Sequence, residues 1–325
     1  MWLKYAVNQD GALVDIKEVA SGKTLLKCPY CDGALTAKKG RIKEHHFAHT
    51  GETCREVSDR PESDTPTLPL YDKFNLELTG QELEQLKKFW NSVHVTHRVL
   101  KRLVSQGLLE KNPYKGRAGG YELTKLGKIP LGELSLMLFN QVQEPLLLKK
   151  LVDLQRSVLD AYDADSPSLQ ERLTDLKLYR TQIRRILSNT LYFLEIQADG
   201  ETLYKIGVTQ RSIEERAAEV QRELRSYYQT VVVKVLGTWE HRGNVELYFK
   251  HRYKEFNHPI GSLSEYYKFG DEDALSVLRD LRRMKSKVLT RAEIDIYEGK
   301  PDQVEVGIAE DQLAHPIGYK SCAFM

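Results

Sequence analysis

The chain has 325 residues, a formal net charge of +2 at pH 7 and 41% hydrophobic residues. This composition is ordinary for a folded globular protein, and the length predicts two or three domains. The longest apolar runs, such as 146–148, fall far short of the roughly 20 residues that cross a bilayer. The first residues also lack the apolar core of a secretory signal. We therefore expect a cytoplasmic protein with no membrane partner.

Charge is distributed unevenly along the chain. Residues 95–128 contain eight Lys or Arg and two Glu, a local charge of +6. Residues 292–312 contain seven acidic residues and one Lys, a local charge of −6. A basic block is typical of a surface that binds a polyanion, and the acidic segment, 289–325, is expected to be a solvated appendage. The alternative is two solvated faces of opposite charge without a ligand.

The N-terminal segment, 1–57, begins with a predicted β-hairpin. Residues 2–7 and 13–16 suit two strands, and Asp10-Gly11 suits the turn between them. The sequence Cys28-Pro-Tyr-Cys31 follows. Two thiolates three positions apart can hold one tetrahedral zinc ion, although this spacing alone also fits a redox pair or two buried thiols. Clustered cysteines near histidines in an intracellular chain favour metal over disulfides.

The second half of the zinc site must come from downstream residues. The favoured ligands are Cys28, Cys31, His49 and Cys54, with His46 as the alternative fourth ligand. A set of four protein ligands closes the coordination sphere, which is typical of structural zinc.

The zinc segment also carries a family resemblance. Its Cys-Pro-x-Cys, the turn at Lys39-Gly40 and the sequence His46-Phe-Ala-His49 together resemble the N-terminal zinc region of CoiA-type competence proteins over about 30 residues. These proteins are associated with nucleases, so the resemblance implies a zinc module attached to a nuclease.

Residues 75–130 follow a polar, Pro-rich linker, 58–74, and contain the basic block. Thr79 is predicted to cap a first helix, a second helix covers 95–106, and Gly107 ends it. Two strands, 108–111 and 121–124, flank a Gly-rich basic loop. The order of elements, together with the sequence Leu-Val-Ser-Gln-Gly-Leu-Leu-Glu-Lys at 103–111, resembles a winged helix-turn-helix.

The winged-helix resemblance implies binding to double-stranded DNA. The second helix would enter the major groove with Arg98, Lys101 and Arg102, and the wing residues Lys115 and Arg117 would contact phosphates or the minor groove. The alternative is a winged helix that binds only proteins.

Residues 131–188 form a predicted helical spacer. Leucines recur at mixed spacings of three, four and seven, with an interruption at 163–168. The repeat is too short to require a coiled coil. An antiparallel hairpin within one chain is slightly preferred, and a homodimer through this spacer is the alternative.

The segment 189–288 shows the strongest pattern. Strands are predicted at 191–196 and 203–209 around an Asp-Gly turn, followed by a helix, a strand at 230–237 and a helix at 244–256. With Tyr192, Lys205-Ile-Gly, Arg216 and Glu246 in this order, the segment resembles the GIY-YIG nuclease superfamily, in the branch with Lys-Ile-Gly as its second motif.

The segment also departs from the family pattern. Thr190 and Leu191 replace the Gly and Ile of the first motif, Lys205 replaces a tyrosine, and Val220 stands where a histidine is frequent. Further polar residues lie downstream where the family often has them, at Asn257, Glu265, Tyr266 and Tyr267.

The nuclease resemblance implies a metal-dependent DNA endonuclease. Tyr192 would be the general base, Lys205 and Arg216 would position water and phosphate, and Glu246 would bind Mg²⁺. A phenol titrates near pH 10, so Tyr192 requires cationic neighbours, and Lys205 on the adjacent strand is expected to supply that charge. A non-catalytic DNA-binding regulator with a vestigial nuclease fold and an RNA-processing nuclease are the alternatives.

The predicted architecture is therefore an α+β multidomain protein. It combines a small zinc-binding β module, a winged helix-turn-helix, a helical spacer and a nuclease domain with a small antiparallel sheet flanked by helices. The expected cofactors are a structural Zn²⁺ and a catalytic Mg²⁺.

Overall fold

The computed structural model describes residues 3–40, 44–59, 66–76, 78–91, 97–112, 114 and 120–314, with backbone alone at 97–99 and 312–314. The chain divides into two compact units, the first comprising 1–68, 149–184 and 291–325 and the second 69–148 and 185–290. None of the helices in these described ranges is long and apolar enough to span a membrane.

The first unit contains an antiparallel sheet. Its strands are β1 (Tyr5–Val7), β2 (Leu13–Asp15), β3 (Gly22–Lys27), β4 (Ala34–Lys38) and β5 (His46–His49), in the spatial order β2-β1-β3-β4-β5. The predicted hairpin is confirmed, because Tyr5 pairs with Asp15 and Val7 with Leu13. Gly11 in its turn has a φ of 76°, which a residue with a Cβ rarely adopts.

The α-helices of the described residues all follow the first sheet in the chain. In chain order they are α1 (Arg55–Ser58), α2 (Gly80–Trp90), α3 (His97–Ser105), α4 (Lys125–Lys128), α5 (Leu136–Asp163), α6 (Leu169–Ser188), α7 (Ile213–Leu224), α8 (Val245–Arg252), α9 (Asp271–Arg283), α10 (Arg291–Tyr297) and α11 (Gln303–Ala314).

Helices α5 and α6 confirm the predicted helical segment and its interruption before Leu169. Leu151, Leu154 and Ile183 are at most 7% exposed in the single chain, whereas Val152 and Leu159 of α5 are 48% and 43% exposed. Burial of the first three side chains within one chain is what the intrachain hairpin predicts. The homodimer stays an untested prediction.

The acidic C-terminal segment is folded over its described part, so the expectation of a solvated appendage is wrong there. Asp302, just before α11, is 1% exposed. Its carboxylate accepts hydrogen bonds from Arg180 Nη1 at 2.5 Å and from Gln155 Nε2 at 2.9 Å. Ile296 and Ile308 are also buried. The buried ion pair and the apolar contacts bind this segment into the first unit, despite its net negative charge.

The second unit begins with α2, α3 and a two-stranded hairpin, β6 (Leu109–Lys111) and β7 (Tyr121–Leu123). Thr79 caps α2 as predicted, and Glu82 returns the bond by accepting from the Thr79 backbone N–H at 2.8 Å. Gly107, with a φ of 70°, ends α3 as predicted. These elements surround a core that includes Leu86, Leu103 and other buried residues.

A second antiparallel sheet completes this unit. Its strands are β8 (Thr190–Ala198), β9 (Glu201–Thr209), β10 (Val231–Trp239) and β11 (Tyr266–Tyr267), in the spatial order β10-β8-β9-β11. The predicted Asp199-Gly200 turn has positive φ values of 46° and 87°, the conformation of a type I′ hairpin.

Alternation along β8 and β9 gives this sheet two apolar faces. Tyr192 and Leu194 pack in one core with Val220 of α7, whereas Phe193 and Tyr204 pack in another with residues of α8 and α9. Tyr204 therefore lies on the face opposite Tyr192, as strand alternation predicts. The chain is a mixed α/β protein with antiparallel sheets and a small N-terminal Cys/His module.

Candidate functional site

The structure brings the four favoured zinc ligands together. The ligand atoms of Cys28, Cys31, His49 and Cys54 all lie within 4.8 Å of one another. Cys28 Sγ is 3.9 Å from Cys54 Sγ, and Cys31 Sγ is 3.3 Å from His49 Nε2. Two sulfurs on one tetrahedral zinc, each about 2.3 Å from the ion, are separated by about 3.8 Å. The spacing therefore suits a structural zinc ion.

The knuckle between β3 and β4 sets the positions of the first two cysteines. The Asp32 N–H donates to the Cys28 carbonyl at 3.0 Å, and the Cys28 N–H donates to the Gly33 carbonyl at 2.9 Å. A Cβ on Gly33 would lie 3.2 Å from both Cys31 Sγ and His49 Cδ2. A glycine at this position therefore lets the backbone pass close to the ligands.

The other assignments for these residues fit the geometry less well. The cysteines are free, and the 3.9 Å between the Cys28 and Cys54 sulfurs is almost twice the roughly 2.05 Å of a disulfide. His46, the alternative ligand, lies outside the cluster, with its Nδ1 2.7 Å from the Glu44 carbonyl oxygen. His49 is thus the imidazole of this cluster.

Burial favours the neutral thiols when no metal is bound. It is the largest cause that raises the pKa of Cys28 and of Cys54, and the neighbouring sulfurs raise the pKa of Cys54 further. Zinc binds thiolates, so it must displace these protons.

A second group of polar side chains lies on the Tyr192 face of the second sheet. Tyr192 pairs with Gly207 across β8 and β9, and its ring lies over that glycine. Arg216 of α7 donates from Nε to Tyr192 Oη at 3.1 Å. Tyr192 is 1% exposed, so the phenol is held between the sheet and the guanidinium.

Gly207, the glycine of Lys-Ile-Gly, leaves the space that the ring of Tyr192 occupies. A Cβ on Gly207 would lie 2.7 Å from Tyr192 Cζ and closer still to its Oη. The ring would have to move, so we expect Gly207→Ala to lower the free energy of unfolding by about 2 kcal/mol, as overpacking does. Urea denaturation measures this change.

Gly80→Ala is the matched control, since a Cβ there meets no atom within 4 Å. We expect it to be neutral or stabilising by up to about 1 kcal/mol, because Gly80 opens a helix. Equal stability of Gly207→Ala and the intact protein would show that Tyr192 does not require the glycine.

Arg216 is also paired with carboxylates of its own helix. Its Nη1 lies 2.9 Å from Glu219 Oε2 and 3.8 Å from Glu223 Oε1. Glu219 in turn accepts two hydrogen bonds from Arg211. The Arg216 side chain is 20% exposed, so it is not sealed from solvent.

Lys205 lies on the same face as Tyr192 but is held by other residues. Its side chain is 4% exposed, and its Nζ lies 3.3 Å from Glu265 Oε2 and 4.4 Å from the centre of the Tyr266 ring. Burial, as the largest cause, lowers the pKa of Lys205, while Glu265 opposes this shift.

Glu246 lies near the same group, on α8. Lys250, one helical turn later, places its Nζ 2.9 Å from Glu246 Oε1 and 2.6 Å from Glu265 Oε1. A chain of alternating charges therefore runs Lys205, Glu265, Lys250, Glu246. Each lysine in it is held by at least one carboxylate, as buried charges require.

The electrostatics of Tyr192 differ from the expectation that Lys205 favours its phenolate. Burial is the largest effect and raises the Tyr192 pKa above 10, although the Arg216 hydrogen bond acts in the opposite direction. Glu246 and Glu265 raise the pKa further. Tyr192 is therefore a neutral phenol at pH 7 in this state, and its cationic partner is Arg216.

Sequence reasoning missed Lys250 and Glu223 and gave Glu265 no role, whereas the pairing of Arg216 with Glu219, three residues later, is an alternative that the sequence offers. Lys250 lies four residues after Glu246, a spacing that places two helical side chains together and was available from the sequence. The link from Glu265 to both lysines depends on how the segment before β11 packs, which no local pattern encodes.

The predicted DNA contacts fall in a part of the chain that is only partly described. Lys101 and Arg102 are exposed on α3, and Arg102 Nε lies 2.5 Å from Glu82 Oε1. The side chain of Arg98 and all of Lys115 and Arg117 lie outside the described residues.

In the comparison with known proteins, one segment of the chain matches a family model. Residues 14–56 match the family model described as competence protein CoiA, N-terminal domain. No curated protein and no solved structure gives a significant match. The matched residues include Cys28, Cys31, His49 and Cys54, so the CoiA-like segment contains the complete cysteine–histidine cluster.

Proposed function

We propose that the chain is a metal-dependent DNA endonuclease whose catalytic centre is the group around Tyr192. The observation that carries the proposal is the hydrogen bond from Arg216 to Tyr192, on the sheet face that Lys205 shares, with Glu246 close enough to affect the Tyr192 pKa. Scattered surface residues would not be expected to converge in this way.

The groups have complementary chemistry for phosphodiester hydrolysis. Arg216 offers planar donors that match two phosphate oxygens, and a phosphate would replace Glu219 as the partner of its Nη1. Tyr192, once deprotonated, accepts the proton of the attacking water. Lys205 supplies positive charge beneath them.

The donor set near Glu246 suits a hard divalent cation. Glu246 supplies carboxylate oxygens, the ligands that Mg²⁺ prefers, and Mg²⁺ keeps several waters of its own. The Glu246 side chain is 15% exposed, so water can reach the site. A bound Mg²⁺ would supply stabilisation of the negative charge that develops on the phosphate.

The other modules are proposed to position this centre. Lys101 and Arg102 of α3 would contact DNA in the manner of a winged helix, for which Arg102 must exchange Glu82 for a phosphate. The cysteine–histidine cluster would hold a structural Zn²⁺. Zinc is assigned to the cysteine–histidine cluster because it prefers soft thiolate ligands, and magnesium is assigned to Glu246 because it prefers hard carboxylate oxygens.

Cleavage of supercoiled plasmid DNA with and without Mg²⁺ tests the proposal. Below the raised Tyr192 pKa, the deprotonated fraction grows about tenfold per pH unit, so the rate should rise with pH from 7 to 9 without a plateau. Tyr192→Phe keeps the ring but removes the acidic proton, and we expect it to lower the rate about a hundredfold or more and to abolish this slope.

The same assay separates the alternative functions. No cutting of varied DNA substrates by the intact protein, with DNA binding retained, would favour a non-catalytic regulator. Faster cleavage of RNA than of DNA of the same sequence would favour an RNA-processing nuclease. A flat pH profile with an active Tyr192→Phe protein would remove Tyr192 as the base.

A further inference from the structure

Lys250 occupies a position between two carboxylates that the proposed reaction does not explain. Its Nζ lies 2.9 Å from Glu246 Oε1 and 2.6 Å from Glu265 Oε1. A single ammonium thus holds together one carboxylate from α8 and one from the segment before β11. Its side chain is 26% exposed, so the pair it bridges is not sealed from solvent.

Two independent parts of the fold set this arrangement. Glu246 and Lys250 are four residues apart on α8, which places them side by side. Glu265 precedes Tyr266, whose pairing with Lys205 fixes the segment at the edge of the sheet. Glu265 uses its second oxygen, Oε2, for Lys205. Its two oxygens therefore face two different cations.

We propose that Glu265 is a second carboxylate of the divalent cation site and that Lys250 is the internal cation that the metal displaces. The proposal rests on the assignment of Glu246 as a metal ligand. Two carboxylates that share one positive charge can exchange it for a divalent ion, because both need a cation and oxygen is the donor that Mg²⁺ and Mn²⁺ accept.

The charges explain why the exchange is favourable for the protein. Glu265 keeps Lys205 after Lys250 leaves, whereas Glu246 has no second ion pair among the described residues. Glu246 therefore depends on Lys250 or on a metal for its neutralisation. Displaced from the carboxylates, the Lys250 ammonium adds to the positive charge beside the incoming phosphate.

Equilibrium binding of Mn²⁺ to the full-length, zinc-loaded protein tests this inference, with calorimetry and the spin signal of free Mn²⁺ as readouts. Lys250→Met removes the competing ammonium but keeps an unbranched apolar chain. We expect it to bind Mn²⁺ about tenfold more tightly than the intact protein. Glu265→Gln should bind about tenfold more weakly, because one anionic oxygen donor is lost.

Lys268→Met is the matched control, since Lys268 forms a half-exposed pair with Glu201 in the same unit, 3.3 Å apart. It should bind Mn²⁺ as the intact protein does. Mn²⁺ should also raise the melting temperature of Lys250→Met more than that of the intact protein. In the metal-free variant, Glu246 and Glu265 have both lost the positive charge of Lys250, so a bound metal stabilises them more.

Mn²⁺ affinity of Lys250→Met equal to or weaker than that of the intact protein, including no binding by either, overturns the displacement. Unchanged affinity of Glu265→Gln overturns the second carboxylate, and this variant keeps the test decisive if Lys250→Met does not fold. Tighter binding without any DNA cleavage would leave this inference standing and remove the nuclease. Cleavage that needs Glu246, with the same Mn²⁺ affinity in Lys250→Met as in the intact protein, would support the nuclease and overturn this inference.

Discussion

Replacing Glu246 with glutamine should reduce Mg²⁺-dependent cleavage of duplex DNA on the order of a thousandfold. Glutamine has nearly the same shape as glutamate and can still accept a hydrogen bond, so the local packing is retained while the anionic donor is lost. Lys250 stays paired with Glu265, 2.6 Å away, so α8 keeps its link to the segment before β11. The initial rate of supercoiled plasmid loss measures the effect.

Glu195→Gln is the control for the loss of a carboxylate from the same unit. Glu195 lies on β8 on the face opposite Tyr192, and its Oε1 is 3.9 Å from Lys234 Nζ. We expect its cleavage rate to stay within about twofold of the intact protein, because a weak exposed pair contributes little. Undiminished cutting by Glu246→Gln would mean that another residue binds the metal or that the activity comes from a contaminant.

Local patterns in the sequence predict the elements whose causes are local. The Asp199-Gly200 turn requires two residues with positive φ, and Thr79 caps a helix through a bond three residues away, so both could be recognised from neighbouring residues. The CxxC spacing likewise predicts two of four cluster ligands. His49 joins them because β5 pairs with β4, directly after the knuckle, and Cys54 follows at the start of α1.

Burial explains what could not be predicted. We expected Lys205 to lower the pKa of Tyr192 because the two residues lie on adjacent strands. Burial instead has the largest effect on both pKa values: it raises that of Tyr192 and lowers that of Lys205. Asp302 shows the same limit: its segment is acidic in composition but is held by Arg180 and Gln155 from α6 and α5. Such partners come from segments more than a hundred positions away in the chain.

Cys28→Ser should abolish zinc binding and unfold the N-terminal sheet. Cys28 is fully buried, and its Sγ is one of four ligand atoms clustered within 4.8 Å. Zinc binding to such closed sites is worth on the order of 10 kcal/mol, and serine is a poor ligand for zinc. We expect zinc content measured by mass spectrometry to fall from one ion per chain to none. Cys322→Ser, outside both the described residues and the CoiA-like segment, is the control and should retain zinc.

The loss of zinc should also be detectable away from the ligands within the same unit. Tyr30, between Cys28 and Cys31, donates a hydrogen bond from its hydroxyl to Asp175 Oδ1 at 2.9 Å, and Asp175 is fully buried on α6. A buried carboxylate that loses one of its hydrogen bonds is destabilised, so amide hydrogen exchange around Asp175 should accelerate in Cys28→Ser. The smaller change Tyr30→Phe removes the hydroxyl of this bond and keeps both zinc-ligand cysteines, so it should accelerate exchange on α6 with zinc retained. If exchange on α6 stays at the rate of the intact protein in both variants, the Tyr30–Asp175 bond does not stabilise α6. Zinc would then stabilise the N-terminal sheet alone.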